Sequence, residues 1–424
     1  MQLTGKASIR GALTVLTATL LGSGAVQAVG ENQLESSILL YSETDRVNAA
    51  EGIVSYSRAL KGSRILNARL TFDALTGASP SGATPSGEIQ TYTRPSGNGT
   101  YTVTAGEIPL DDTFRDTRFS FDAGLTQPLN RETSLVFGTH VSGEHDYFSL
   151  GGNIGFTRDF NRRNTTLSAS VAYSHDAIRP EGGAPVPLAS MVGAQQDDSA
   201  VKRGDDSKDI FDLVVGVTQI VDRQTVLRLN YSFDYATGYL NDPYKILSVV
   251  QDAAGANPGE PVDFVYESRP DSRTKHALFA EGRRYLGGHT VNLSYRYFWD
   301  SWGVNSHTVD LHYRLPLKSG HALQPHVRWY KQTAADFYQT YLVDGSPMPT
   351  NATADYRLGS FHAITLGLQY LFPVVQGAHL SIGAEYYGQA GDVSPPTNLG
   401  PLSRYDLFPD MDAIMIRVGF TSDF

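Results

Sequence analysis

Leu227-Arg228-Leu229-Asn230-Tyr231-Ser232-Phe233-Asp234-Tyr235 places an apolar or aromatic side chain at every odd position and a polar one at every even position. A period of two is that of an extended strand, whose successive side chains leave opposite faces. One face of this strand is greasy, while the other carries Arg228 and Asp234, so the strand separates an apolar medium from a watery one. Val291-Asn292-Leu293-Ser294-Tyr295-Arg296-Tyr297 and Val309-Asp310-Leu311-His312-Tyr313-Arg314-Leu315 repeat the pattern, as does Leu66-Asn67-Ala68-Arg69-Leu70-Thr71-Phe72-Asp73. Phe211, Leu213, Val215 and Val217 alternate with Asp212, Gly216 and Thr218, and Ile414, Ile416, Val418 and Phe420 alternate with Arg417 and Gly419.

A soluble sandwich also alternates, so three further features decide for a transmembrane barrel. The segments run to about 10–13 residues, longer than soluble strands and matched to a tilted membrane crossing. Tyr235, Tyr297, Trp299, Trp329 and Tyr386 sit near segment ends, where interfacial girdles form. The third feature is the parity of the gaps. Sixteen strands are expected at 34–42, 47–59, 63–76, 114–126, 132–143, 147–159, 165–176, 209–220, 224–238, 273–284, 289–299, 304–316, 322–333, 360–371, 378–389 and 411–424. Every long gap (77–113, 177–208, 239–272, 334–359, 390–410) follows an odd-numbered strand, and the gaps after even-numbered strands are short. An all-β, antiparallel, up-and-down barrel with short periplasmic turns and long external loops must show this parity, and a sandwich has no reason to. The segment 34–42 could instead be a bend within one longer strand, so fourteen strands stay open as an alternative to sixteen. The long gaps are rich in Gly, Pro, Ser and Asp, a composition that predicts solvated loops without a core.

Residues 1–28 read as an export signal: Lys6 and Arg10, a short apolar run from Gly11 to Leu21, then small residues ending at Val26-Gln27-Ala28. The remainder, 29–424, reads as one outer-membrane domain. The chain holds no cysteine among 424 residues, which suits a bacterial envelope and excludes disulfides, thiolate metal sites and a cysteine nucleophile. Charged residues make up 18%, and the net charge of −10 leaves no basic footprint for nucleic acid. The final strand alternates down to Phe424, an aromatic ending of the kind the barrel-insertion machinery reads, with Ser422 as the one departure.

Tyr41-Ser42-Glu43-Thr44-Asp45-Arg46-Val47, followed by Asp73-Ala74-Leu75-Thr76-Gly77-Ala78-Ser79-Pro80-Ser81-Gly82-Ala83, resembles the opening of the DUF3570 proteins. The resemblance implies an exported bacterial barrel with no settled activity and carries over no catalytic residue. It also implies, through genomic association with flavin-transferase and thioredoxin-like proteins, a possible periplasmic redox partner.

The polar faces carry Arg69, Asp73, Arg118, Asp122, Asp212, Arg228, Asp234, Arg296, Asp310, Arg314, Arg328, Glu385 and Arg417. In lipid, an Arg near the midplane costs about 2–4 kcal/mol, so these residues are expected to line a lumen. They serve either as paired charges that stiffen a wet wall or as a selectivity arrangement with basic and acidic sides. The 77–113 segment is expected to fold inward as a constriction near Arg69, Asp73, Arg118 and Asp122. His145-Asp146 and His175-Asp176 are sequence neighbours, so on a strand their side chains point oppositely and form no dyad. Asp197-Asp198 and Asp205-Asp206 lack calcium-loop spacing, and Asn98-Gly99-Thr100 and Asn351-Ala352-Thr353 are chance-level glycosylation matches. The expectation is a porin-like channel for small solutes, not an enzyme, with no cofactor and no metal. Its partners would be outer-membrane lipid, lipopolysaccharide and, during biogenesis, the insertion machinery. The alternative is a structural barrel that docks a periplasmic redox or assembly partner and transports nothing.

Overall fold

A computed structural model of the chain describes residues 32–93, 99–191, 201–375 and 377–424. The expected signal segment, Asn98 and Asp197-Asp198 lie outside the described residues. The N-terminal part of the barrel runs β1 (Gln33–Glu43), β2 (Val47–Leu60) and β3 (Arg64–Pro80). A small loop hairpin, β4 (Gln90–Thr93) and β5 (Thr100–Val103), separates these from β6 (Leu110–Pro128). Then follow β7 (Thr133–Gly143), β8 (Tyr147–Phe160), β9 (Thr165–Ile178), β10 (Asp206–Asp222) and β11 (Thr225–Gly238). A second loop insertion holds β12 (Ile246–Val250) and β13 (Pro261–Tyr266). The wall resumes with β14 (Ser272–Leu286), β15 (His289–Asp300), β16 (Asn305–Pro316) and β17 (Ala322–Gln332). After the short loop strand β18 (Leu342–Val343) come β19 (Phe361–Val375), β20 (Ala378–Ala390) and β21 (Met411–Asp423).

The sixteen wall strands form one closed sheet in which each strand pairs with its predecessor in the wall, and β21 pairs antiparallel with β1 from Gln33↔Asp423 to Glu43↔Ala413. Closure leaves no backbone edge unpaired, which a lipid environment requires. β1 is a strand in its own right. Asp45 sits at φ 56°, so Thr44-Asp45-Arg46 reverses the chain rather than bending it.

One rim carries both ends of the barrel and the tight turns, among them Gly287-Gly288 with φ of 58° and 114°. Two successive positive φ angles match the twist of a hairpin, and glycine adopts them without strain. The other rim carries the long connections together with the short turns β1–β2, β7–β8 and β15–β16. The outer surface shows rows of exposed apolar side chains, such as Leu227 at 45% and Leu229 at 56%, while their strand neighbour Asp234 is 6% exposed on the inner side.

Two expectations need correction at the loop rim. β3 and β6 continue to Pro80 and from Leu110, with Pro80↔Leu110 still paired, so the Gly77-Ala78-Ser79-Pro80 stretch belongs to the wall. The long loops are also not free in water: they bury a core of their own. Ile246, Leu247, Val250, Val265 and Leu402 are almost completely buried, each worth about 1.5–3 kcal/mol of apolar burial. The apolar residues of these loops occur in short runs without a period and find their partners on other loops. β12 pairs with β13 and, in parallel, with β18. Ala83, Tyr92 and Tyr101 pack on Ile246 and Tyr266, Leu188 packs beside Leu247 and Val265, and Leu399 and Leu402 pack on Val250. All five long connections thereby interlock into a cap.

Candidate functional site

The wall strands present their polar faces inward, and the thirteen charged residues all lie on that face. Arg118 Nε donates to Asp73 Oδ2 at 2.6 Å, and Arg69 Nε donates to Ser55 Oγ at 3.2 Å. Asp122 Oδ1 lies 2.6 Å from His140 Nδ1, with both side chains buried. Asp212 and Asp234 are direct cross-strand partners, and Asp234 pairs with Lys275 at 3.1 Å. Arg228 pairs with Glu281 at 2.9 Å, and Asn292 Nδ2 donates to the other Glu281 oxygen at 2.7 Å. Asp310 and Glu385 meet at His326, at 3.1 and 2.9 Å. Arg296 lies 5.5 Å from the centre of the Phe298 ring. Arg296, Arg314 and Arg417 stay exposed on the inner face, and Arg328 is half-buried.

The charges are unevenly placed around the wall. The arc β2–β11 holds Glu51, Asp73, Asp122, Asp176, Asp212 and Asp234 against Arg69, Arg118, Lys208 and Arg228. The arc β14–β21 holds Arg273, Lys275, Arg296, Arg314, Arg328 and Arg417 against Glu281, Asp300, Asp310 and Glu385. An acidic side thus faces a basic one.

Above this zone the cap packs onto the wall. Leu39, Tyr41, Ala413 and Met415 of the wall pack against Tyr356 and Phe408 of the cap. The cap is locked by an ionic core. Arg269 reaches Glu267 at 2.9 Å and Asp355 at 2.7 Å, and Arg357 reaches Asp242 at 2.6 Å and Asp355 at 2.7 Å. Burial alone would raise the Asp355 carboxyl, but the Arg357 and Arg269 guanidiniums outweigh it and hold the group well below the ordinary carboxylate range. Burial also lowers the Lys245 ammonium, whose Nζ is held by the Pro80 carbonyl at the end of β3.

The joint between wall and cap lies in the Gly77–Ala83 stretch. Gly77 has φ 136°, and a Cβ there would sit 2.3 Å from the Arg46 carbonyl oxygen. Gly82 has φ 100°, and its Cβ would meet the Ile246 carbonyl at 2.4 Å. Both positions need glycine for conformation and for space. The segment between Pro80 and Leu110 packs on the cap through Ala83, Tyr92 and Tyr101. Among the described residues, the hydrogen bonds and ion pairs given above for Arg69, Asp73, Arg118 and Asp122 are to wall side chains, not to this segment.

His175 and Asp176 point to opposite faces: His175 is exposed and pairs with Asp209, whereas Asp176 is fully buried and pairs with Lys208 at 3.6 Å. Asp205 pairs with Arg179 at 3.4 Å, and Asn351 accepts from Ser268 in the cap. The inner-face residues that charge patterning alone left out include His140, Lys208, Lys275, Glu281, His312 and His326. Period-two counting marks each of them, since each shares a face with an acid or base already named on its own strand or across the pair.

No curated protein matches the chain. Among solved structures, a bacterial polysaccharide outer membrane secretin aligns with a TM-score of 0.47 at 8% identity, over 94% of this chain and 100% of that one. The ferric enterobactin receptor PfeA of Pseudomonas aeruginosa aligns at 0.45 and 11%, over 92% of this chain and 59% of that one. The CymD monoaromatic hydrocarbon channel aligns at 0.40 and 9%, over 96% and 92%. Residues 7–422 match the family described as "Protein of unknown function (DUF3570)", and with nearly its whole length in that match the chain belongs to this family.

Proposed function

We propose that the barrel sits in a bacterial outer membrane, loop rim outward, and conducts small charged solutes through a hydrated lumen that the cap closes in the conformation described. Residues 1–28 would direct export and the rest would fold as one domain with the help of the insertion machinery, flanked by lipid and lipopolysaccharide. The observation that carries this reading is the pair of opposed arcs with Arg296, Arg314 and Arg417 exposed on the inner face. Exposed guanidiniums inside a wall imply water beside them, because an unpaired charge is too costly in a dry interior. A sixteen-stranded barrel is wide enough for such a channel. Opposed acidic and basic walls set a transverse field that orders a dipolar solute and discriminates by charge.

The test is single-channel conductance in a planar bilayer. The intact protein should conduct weakly or not at all. Replacing residues 82–108 by a short turn should raise conductance several-fold, because it removes the segment that seats Ala83, Tyr92 and Tyr101 in the cap. Unchanged conductance in a truncated barrel shown to be folded would sink the channel reading. The packing of the cap on the wall, with Tyr41 and Phe408 in one cluster, favours a second reading in that event: a barrel that docks a periplasmic redox or assembly partner.

A further inference from the structure

His312 of β16 and His326 of β17 are direct partners across the strand pair, and their rings lie parallel with centroids 4.1 Å apart. Asp310 stands two residues before His312 on the same face. Its two oxygens reach the two imidazoles separately: Oδ1 lies 3.0 Å from His312 Nε2, and Oδ2 lies 3.1 Å from His326 Nε2. The remaining nitrogens are engaged from behind. His326 Nδ1 lies 2.9 Å from Glu385 Oε1, and His312 Nδ1 lies 3.4 Å from Gln324 Nε2.

This is the arrangement of a metal site with its outer partners. A ligating histidine characteristically donates its second ring N–H to a carboxylate or amide, which fixes the ring and raises its basicity. Glu385 supplies that contact to His326 here, and Gln324, whose Nε2 lies beside His312 Nδ1, would supply it to His312 once its amide turns to present the oxygen. The donor atoms of Asp310, His312 and His326 all lie within 4.8 Å of one another. A tetrahedral site with bonds near 2.1 Å spaces its ligand atoms about 3.4 Å apart, a closure of roughly 1 Å that side-chain rotation supplies. The three side chains are partly exposed, at 21%, 37% and 11%, so an ion would reach them from the lumen and keep an open coordination position.

We infer that Asp310, His312 and His326 form a binding site for a divalent first-row transition-metal ion on the inner wall, with Glu385 and Gln324 as positioning residues. Two imidazoles and one carboxylate select zinc, nickel or copper over calcium and magnesium, which take oxygen ligands. The site does not depend on the barrel conducting, so it can stand or fall apart from the channel reading.

The experiment titrates the purified, folded full-length protein in detergent with zinc chloride and, separately, with magnesium chloride by calorimetry. One equivalent of zinc should bind and magnesium should not. Glu385→Gln should weaken zinc about 10–100-fold, His326→Gln should abolish binding, and His307→Gln on the outer surface should leave it unchanged. Should a lumenal variant fail to fold, copper(II) electron paramagnetic resonance of the unaltered protein decides, with splitting from two imidazole nitrogens expected. Absence of zinc binding, zinc binding that survives His312→Gln and His326→Gln together, or a copper spectrum without nitrogen coupling would each overturn the site. The triad would then be a charge ladder in which His326 bridges two carboxylates.

Discussion

Leu229 and Asn230 are neighbours in β11, yet one faces lipid and the other the lumen. Leu229→Arg should cost about 2–4 kcal/mol near the membrane midplane, and Asn230→Arg should be far milder, as read in a folding titration into lipid vesicles. Equal effects would show the faces to be misassigned. Asp355 makes a different case. It is 2% exposed and receives hydrogen bonds from Arg269 and Arg357. Asp355→Asn leaves two guanidiniums short of an anion in a dry cap, and breaking a buried ion pair from one side costs about 3–5 kcal/mol. The expected result is faster protease cleavage of the cap with the wall strands intact. Gly82→Ala should act at the same joint, because the added methyl meets the Ile246 carbonyl.

At the scale of elements, the cap and the turns respond to pH in opposite senses. Asp355 has a depressed proton affinity in the folded state, so its contribution is present above the ordinary carboxylate value and is lost only as pH falls well below it. Limited proteolysis of the cap should therefore give the same rate at pH 8 and pH 5. Glu144, in the turn between β7 and β8, lies beside Asp116 and Asp146. Burial and then the Asp116 charge push its carboxyl up to about 8. A raised folded-state value means the stabilising contribution is complete below about 4.5 and is lost as pH rises through about 8. Thermal melting should fall between pH 6 and pH 9, and Glu144→Gln should reduce that fall. A variant that melts with the same pH dependence as the parent would assign the effect elsewhere.

At the scale of the whole molecule, the wall was legible in the sequence because its information is local: a period of two within each strand and a parity in the spacing between strands. The boundaries differ most at β3, β6 and β19, each of which runs four residues past its expected span at one end; at the first two, Gly77 and Pro80 read as loop chemistry but sit in a paired extension of the wall. The cap was illegible for the converse reason. Ile246-Leu247-Ser248-Val249-Val250 has no amphipathic period, since both of its faces are covered by other loops. The ionic core joins residues 86 and 115 positions apart, and no local pattern encodes such a distance. The metal-site candidates fall between these cases: Asp310 and His312 share a face by spacing, but His326 joins them only through strand register. With the loop rim outward as proposed, the interlocking of five separate connections also determines what an immune system or a phage would encounter. The surface they present is a mosaic assembled from remote parts of the chain. Antibodies raised against the folded protein should therefore recognise discontinuous epitopes, bind intact cells and lose their target on a denaturing blot.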